Sequence, residues 1–153
     1  MQSLHNSRAW LAGSVLASLL LATVALAASS GRQFSGYFDI SGKQDQGELV
    51  QVTLHLKLFN HGDSDAKSVI VTLVDPSPAM ILRGNFQPLK VWKSQKFVEM
   101  SQQFTVTKQE FAEWMAGPGQ PNVVILYQDS AGKTWQKGAQ LSRRPLAPVP
   151  VND

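Results

Sequence analysis

Hydrophobic and polar residues alternate along most of this chain, and the alternation is clearest from Glu48 to Asn60. Val50, Val52, Leu54, Leu56 and Leu58 fall on one parity; Gln51, Thr53, His55 and Lys57 fall on the other. A period of two places one set against a core and the other in water, whereas a helix would scatter these five apolar residues around its axis. The segment is predicted to be a strand. Ser94 to Thr107 repeats the pattern, with Val98, Met100, Phe104 and Val106 inward and Gln102 as the exception. Lys133 to Leu141 sets Trp135, Ala139 and Leu141 against Gln136 and Gln140. On this parity Trp135 is expected in the core. Val69–Val74 and Val123–Tyr127 are apolar on both parities, the pattern of central strands covered on both faces. Gln33–Ile40 and Met80–Phe86 complete the set with weaker patterns.

Turn chemistry separates these runs. Asn60-His61-Gly62-Asp63 and Asp129-Ser130-Ala131-Gly132 are predicted turns, the second closing a hairpin, and Asp75-Pro76-Ser77-Pro78 interrupts the sheet. One helix breaks the pattern. Thr107 followed by Glu110 forms a capping box; Phe111, Trp114 and Met115 share a face, and Gly117-Pro118 ends the segment. A helix over Lys108–Met115 would cross between two sheets. About seven short strands with turns between them and one short helix predict an all-β, immunoglobulin-like β-sandwich.

The N-terminus has a different character. Arg8 precedes an apolar and small-residue stretch from Ala9 to Ala28, which closes on Ala25-Leu26-Ala27. A positive start, an apolar middle and an A-x-A site are the parts of a secretory signal. The expected organisation is a signal peptide helix at 1–27 cleaved before Ala28, and a lead-in at 28–32. The sandwich follows at 33–142, and a Pro-rich tail at 143–153. An uncleaved membrane anchor is the alternative for the apolar stretch. Cleavage leaves about 125 residues, one domain's worth, with no second apolar run and so no stable span. The expected location is periplasmic or secreted.

Composition narrows the chemistry. The 14 Lys and Arg against 11 Asp and Glu give a net charge of +3, but the positive residues are scattered. A nucleic-acid footprint needs them clustered, so nucleic acid is not an expected partner. There is no cysteine, which removes disulfides, a lipoprotein anchor and thiol nucleophiles. His55, His61, Asp63, Asp65, Met80, Met100 and Met115 are the metal-ligand candidates, yet no two histidines have chelating spacing. Asp63 and Asp65 read as turn formers, since the further oxygens of a calcium loop are missing. No Gly-x-Ser-x-Gly elbow occurs, and Glu110, which could pair with Glu113, is accounted for by capping. No catalytic residue, metal or cofactor is expected.

The run Leu54–Asp75 contains Phe59-Asn60-His61-Gly62, then Ala66, then Val69, Val71 and Leu73. It resembles the Asn-x-Gly turn and following strand of CARDB-type immunoglobulin-like domains of bacterial envelope and adhesion proteins. It is also similar to the ectodomain of translocon-associated protein beta. The resemblance implies the sandwich fold and no catalytic residues, with Asn60 and Gly62 as turn residues that tolerate positive φ. Binding is left to the surface. Phe59 and Phe97 have outward parity, and Trp92 joins them as a candidate binding aromatic. The leading expectation is a non-catalytic accessory domain with an envelope or secreted protein partner. A small carbohydrate-binding module using these aromatics is the second reading, and a periplasmic metal carrier is the remote one. Edge strands offer a further route, by accepting a partner's strand.

Overall fold

The computed structural model describes residues 33–117 and 119–144. The segments expected to be a signal peptide (1–27) and a lead-in (28–32), and most of the expected tail, lie outside them. The elements are β1 (Phe34–Gln46), β2 (Leu49–Asn60), β3 (Ala66–Val74), β4 (Leu82–Asn85), β5 (Leu89–Trp92), β6 (Phe97–Thr107), α1 (Lys108–Ala116), β7 (Asn122–Gln128) and β8 (Thr134–Arg143). The described chain is all-β with eight strands and one short helix.

The antiparallel order β1–β2–β6 makes one layer, and β3–β7–β8, with β4 and β5 both on β3, makes the other. β8 joins the two. It pairs with β7 up to Ala139, then runs parallel to β1 from Gln140 to Arg143. The result is a nearly closed, barrel-like sandwich with β4 and β6 at the two ends of the path. Its strand connections are those of an immunoglobulin-like fold, with α1 carrying the chain from one layer to the other.

β2 behaves as its alternation demands. Val50, Val52, Leu54, Leu56 and Leu58 are buried, while the residues between them are half-exposed. Against them pack Phe34, Trp92 and Tyr127. The Phe34 and Trp92 rings stack at 4.9 Å, and Tyr127 meets Phe34 edge-on at 5.3 Å. Each large ring removes 150–250 Å² from water, so this cluster is a large share of the core.

Several elements depart from the sequence pattern. β1 runs six residues past the expected Ile40, through exposed polar positions that pair with β2 but bury nothing. β5 is an eighth strand, only four residues long and too short to show a period. β3 and β7 are central in their sheet, but their outer face is covered only in part: Thr72 and Val74 are buried, whereas Ile70 and Val124 are half-buried and Leu126 is exposed. The only helix among the described residues packs on β6 and β2, away from that face. Trp135 has inward parity beside Tyr127, yet it is 37% exposed. β8 pairs with β1 only from Gln140 onward, so no neighbouring strand encloses Trp135.

The β2–β3 turn has a different basis from the one the resemblance implied. Neither Asn60 nor Gly62 has positive φ. Asn60 is fully buried; its Oδ1 accepts the Gly62 N–H at 2.9 Å, and its Nδ2 reaches the Ser64 carbonyl at 3.3 Å. A Cβ at Gly62 would stand 3.0 Å from that Oδ1 and 3.1 Å from the Gln33 amide nitrogen, so a larger residue would press on the side chains that hold the turn.

α1 starts as its capping box predicts, with the Thr107 hydroxyl accepting the Glu110 N–H at 3.1 Å. The Glu110 carboxylate turns elsewhere. It is 6% exposed and accepts from Arg83 at 3.0 Å, while the same guanidinium nitrogen reaches Asp75 at 2.8 Å. The helix is thereby pinned to the β3–β4 connection. Burial raises the Glu110 pKa above its ordinary 4.5, against the opposing pull of Arg83.

Two predictions follow from this packing. A Cβ on Gly36 would lie 2.1 Å from the Lys57 carbonyl oxygen and 2.9 Å from the Leu58 Cα. Gly36→Ala should therefore cost about 1–3 kcal/mol and lower the thermal midpoint by roughly 5–15 °C; an unchanged melt would refute the close approach of β1 to β2. Glu110 binds its proton more tightly folded than unfolded, so its contribution to stability rises as pH falls through the raised pKa towards 4.5. The midpoint of the wild type relative to Glu110→Gln should accordingly increase on acidification from pH 7, and a pH-independent difference would contradict the buried carboxylate.

Candidate functional site

The outer face of the β1–β2–β6 layer is fixed by register. Ser35, Phe59 and Phe97 stand in one row across the three strands. Tyr37, Lys57 and Glu99 form the next, and Asp39, His55 and Ser101 the third. Each row consists of residues whose neighbours in sequence point into the core, so a side chain can leave its row only if the whole strand slips.

The first two rows carry the aromatic surface. Phe59 and Phe97 lie 4.6 Å apart with ring planes tilted by 55°, and His61 meets Phe59 edge-on at 4.6 Å. Phe97 is 52% exposed and Tyr37 42%. The rings open onto a shallow groove of about 470 Å³, rimmed by Ser35, Gln140 and Ser142. Lys57 extends over Phe97, its ammonium 5.2 Å from the ring centre, and forms an ion pair with Glu99 at 3.0 Å. That hydrogen bond holds the Glu99 carboxyl below its ordinary range. The pair is exposed and contributes little to stability, but it keeps the edge of the aromatic patch polar.

A second groove of about 300 Å³ continues from Tyr37 past Asp39 and His55 to Arg144. His55 lies between two hydroxyls, Ser41 at 2.7 Å on one ring nitrogen and Ser101 at 2.6 Å on the other. With both nitrogens bonded to hydroxyls, no carboxylate orients the ring as a general base, so the arrangement lacks the third member of a catalytic triad. His61 is held by Ser35 at 2.6 Å. The two histidines thus occupy separate hydrogen-bond pairs. Among the described residues no three His, Asp or Glu side chains converge on one point. Asp65 instead bonds Lys93 at 2.8 Å and the Ser94 N–H at 2.9 Å, with the lysine bond the main cause of its lowered pKa. Of the methionines, Met100 is buried as its parity requires, whereas Met115, next to buried Trp114 in α1, is exposed.

The sequence-predicted aromatics therefore divide. Phe59 and Phe97 come together on the outer face. Trp92 does not join them: it is 1% exposed, stacked on Phe34, with its indole N–H donated to the Lys96 carbonyl at 2.9 Å. Its strand, β5, belongs to the opposite layer and points the ring inward, so Trp92 cannot touch a ligand. Tyr37 and His61 were absent from the expected set. Tyr37 lies in a strand of weak alternation, and His61 in a turn, where parity gives no direction. Trp135 is a further exposed aromatic, at the β7–β8 hairpin, with its indole N–H on Asp129 at 2.7 Å and the Lys133 ammonium 4.1 Å from its ring. Trp135 is less exposed than Phe97 and its lysine sits closer to the ring, which leaves the Phe59–Phe97 patch as the more accessible aromatic surface.

No protein-family model matches the chain, and no curated protein does. Among solved structures the fold is similar to part of a GH20 exo-β-N-acetylglucosaminidase from Vibrio harveyi, in its complex with N-acetylglucosamine and as an inactive mutant. The identity is 16% and the TM-score 0.46 in both cases; the match covers 75% of this chain and 19% of that one. This chain is a mostly-β domain that distantly resembles a fifth or less of that enzyme.

Proposed function

We propose that the chain is an exported, non-catalytic interaction domain that holds a partner protein on the outer face of its β1–β2–β6 layer. One observation carries the reading: the Phe59–Phe97 pair on the outer face of the sheet, with Phe97 half-exposed, Phe59 partly so, and Tyr37 and His61 beside them. Aromatic residues that remain in water cost the free protein solubility, and they are the commonest anchors of protein interfaces. The rings are tilted against each other, so they offer an apolar notch that fits an aliphatic or aromatic side chain better than a flat sugar face. The resemblance to CARDB-type envelope domains and the signal-like segment at 1–27 support the exported setting.

A second reading is favoured by the groove's rim. Ser35, Gln140 and Ser142 place hydroxyl and amide groups beside Tyr37, the combination that holds a sugar ring by stacking and hydrogen bonds.

The experiment compares wild type with Phe97→Ser, a change on the surface that leaves the core untouched. Recovered from a bacterial envelope fraction, the wild type should retain a defined protein, and the variant should hold it at least about tenfold more weakly. Equal retention by the variant would refute the face as the docking surface. A specific hit on a glycan array, lost in Tyr37→Ala, would replace the protein reading with the sugar one. The N-terminal residue of the exported protein should be Ala28; Met1 there would refute cleavage.

A further inference from the structure

The two ends of the sheet path are unlike. One end is formed by β4 and β5, four residues each, too short to template a long pairing. The other is β6, eleven residues long, paired with β2 along its whole length without a register shift. Natural sheets blunt such an edge with proline, a bulge or several charges. β6 has no proline and no bulge, and Glu99 is its one charged residue.

The hydrogen bonds show which groups of β6 are free. Asn60 N–H to Lys96 C=O and Lys108 N–H to Glu48 C=O, both 3.2 Å, bracket the β2–β6 ladder. Bonded and non-bonded pairs alternate in an antiparallel ladder, so the even-numbered residues of β6 face β2 with their backbone groups. The odd-numbered ones (Phe97, Glu99, Ser101 and onward) turn N–H and C=O to the open side. Among the described residues no strand pairs with them there. Towards the C-terminal half, β4 closes in: a Cβ on Gly84 would lie 3.1 Å from the Phe104 ring. The open portion is therefore Phe97–Gln102. The exposure of Gln102, which has inward parity, marks where the two layers part.

We propose that this half of β6 accepts an extended segment of a partner protein as an additional strand, by β-augmentation. The inference rests on the interaction reading above and specifies how the partner binds: its backbone continues the sheet beyond β6, and one apolar side chain settles against Phe97. The position opposite Glu99 takes a basic or neutral residue. That charge also counts against a second copy of this chain, because the antiparallel self-pairing that uses all three open residues, Phe97, Glu99 and Ser101, sets Glu99 against Glu99. On its inner side Glu99 already meets Lys57, so a cation on the outer side extends an alternating row of charges.

A displayed library of random twelve-residue peptides, selected on the chain, tests this. Selected peptides should alternate, favour β-branched residues and carry Lys or Arg at one fixed position. Selection on Glu99→Lys, an exposed change that does not threaten the fold, should exchange that residue for Asp or Glu. Ser101→Pro removes an N–H that β2 does not use, and should weaken binding about tenfold or more. No enriched peptides, or enriched peptides indifferent to both changes, would overturn strand addition. If those indifferent peptides were lost in Phe59→Ser, the aromatic face would stand and only the strand-addition mode would fall.

Discussion

The structure depends on the burial of one parity of β2. Five of its side chains fill the space between the layers, and each has its neighbours in sequence on the opposite side. Because the side-chain period is two, burying Leu54, Leu56 and Leu58 obliges His55, Lys57 and Phe59 to face outward. The same strand that supplies the core thus supplies the middle of the proposed binding face. β1 and β6 complete that face because they pair with β2 on either side, and their registers decide which residues stand beside Phe59. The aromatic cluster of Phe34, Trp92 and Tyr127 secures the far layer against this one, and buried Asn60 ties the end of β2 to the turn that leaves it.

Most of this was legible in the residues where one face was buried and the other wet. β2, β6 and α1 follow their patterns closely, including the Thr107 cap and the outward placement of Phe59 and Phe97. Legibility failed where burial did not set the pattern. The second half of β1 is a strand by hydrogen bonding alone, and β5 is too short to display a period. Trp92 shows a related limit: a tryptophan among Lys90, Lys93 and Lys96 looks like a surface residue, but the ring packs inward while the lysines around it stay in solvent. Trp135 fails in the opposite sense, having the right parity at a position with a strand, β7, on one side only. Glu110 is a case of partial reading. Its N–H is capped as the motif requires, while its carboxylate answers to Arg83, which lies 27 residues away in sequence and which no local motif could reveal.

The candidate site was half legible for the same reason. Parity identifies outward aromatics on a strand, but it cannot say which strands are neighbours. That Phe59 and Phe97 touch follows from the pairing of β2 with β6, a contact between residues far apart in the chain. The free edge of β6 is likewise a property of topology. A regular, nearly uncharged strand is unremarkable in the middle of a sheet, and offers unpaired backbone groups only at its end. The exposed patch and the open edge meet at Phe97, so one residue connects the two proposed modes of binding, by side chain and by backbone.

The register of β2 against β6 is the claim on which core, face and edge all stand. Cross-strand Hα–Hα nuclear Overhauser effects measure it directly, because the non-hydrogen-bonded pairs of an antiparallel ladder bring their Cα atoms to about 4.5 Å. Strong effects should connect Phe59 with Phe97, Lys57 with Glu99, and His55 with Ser101. Effects that instead join Leu58 with Phe97 and Leu56 with Glu99 would mean a one-residue slip, and both the core and the proposed binding face would be wrong.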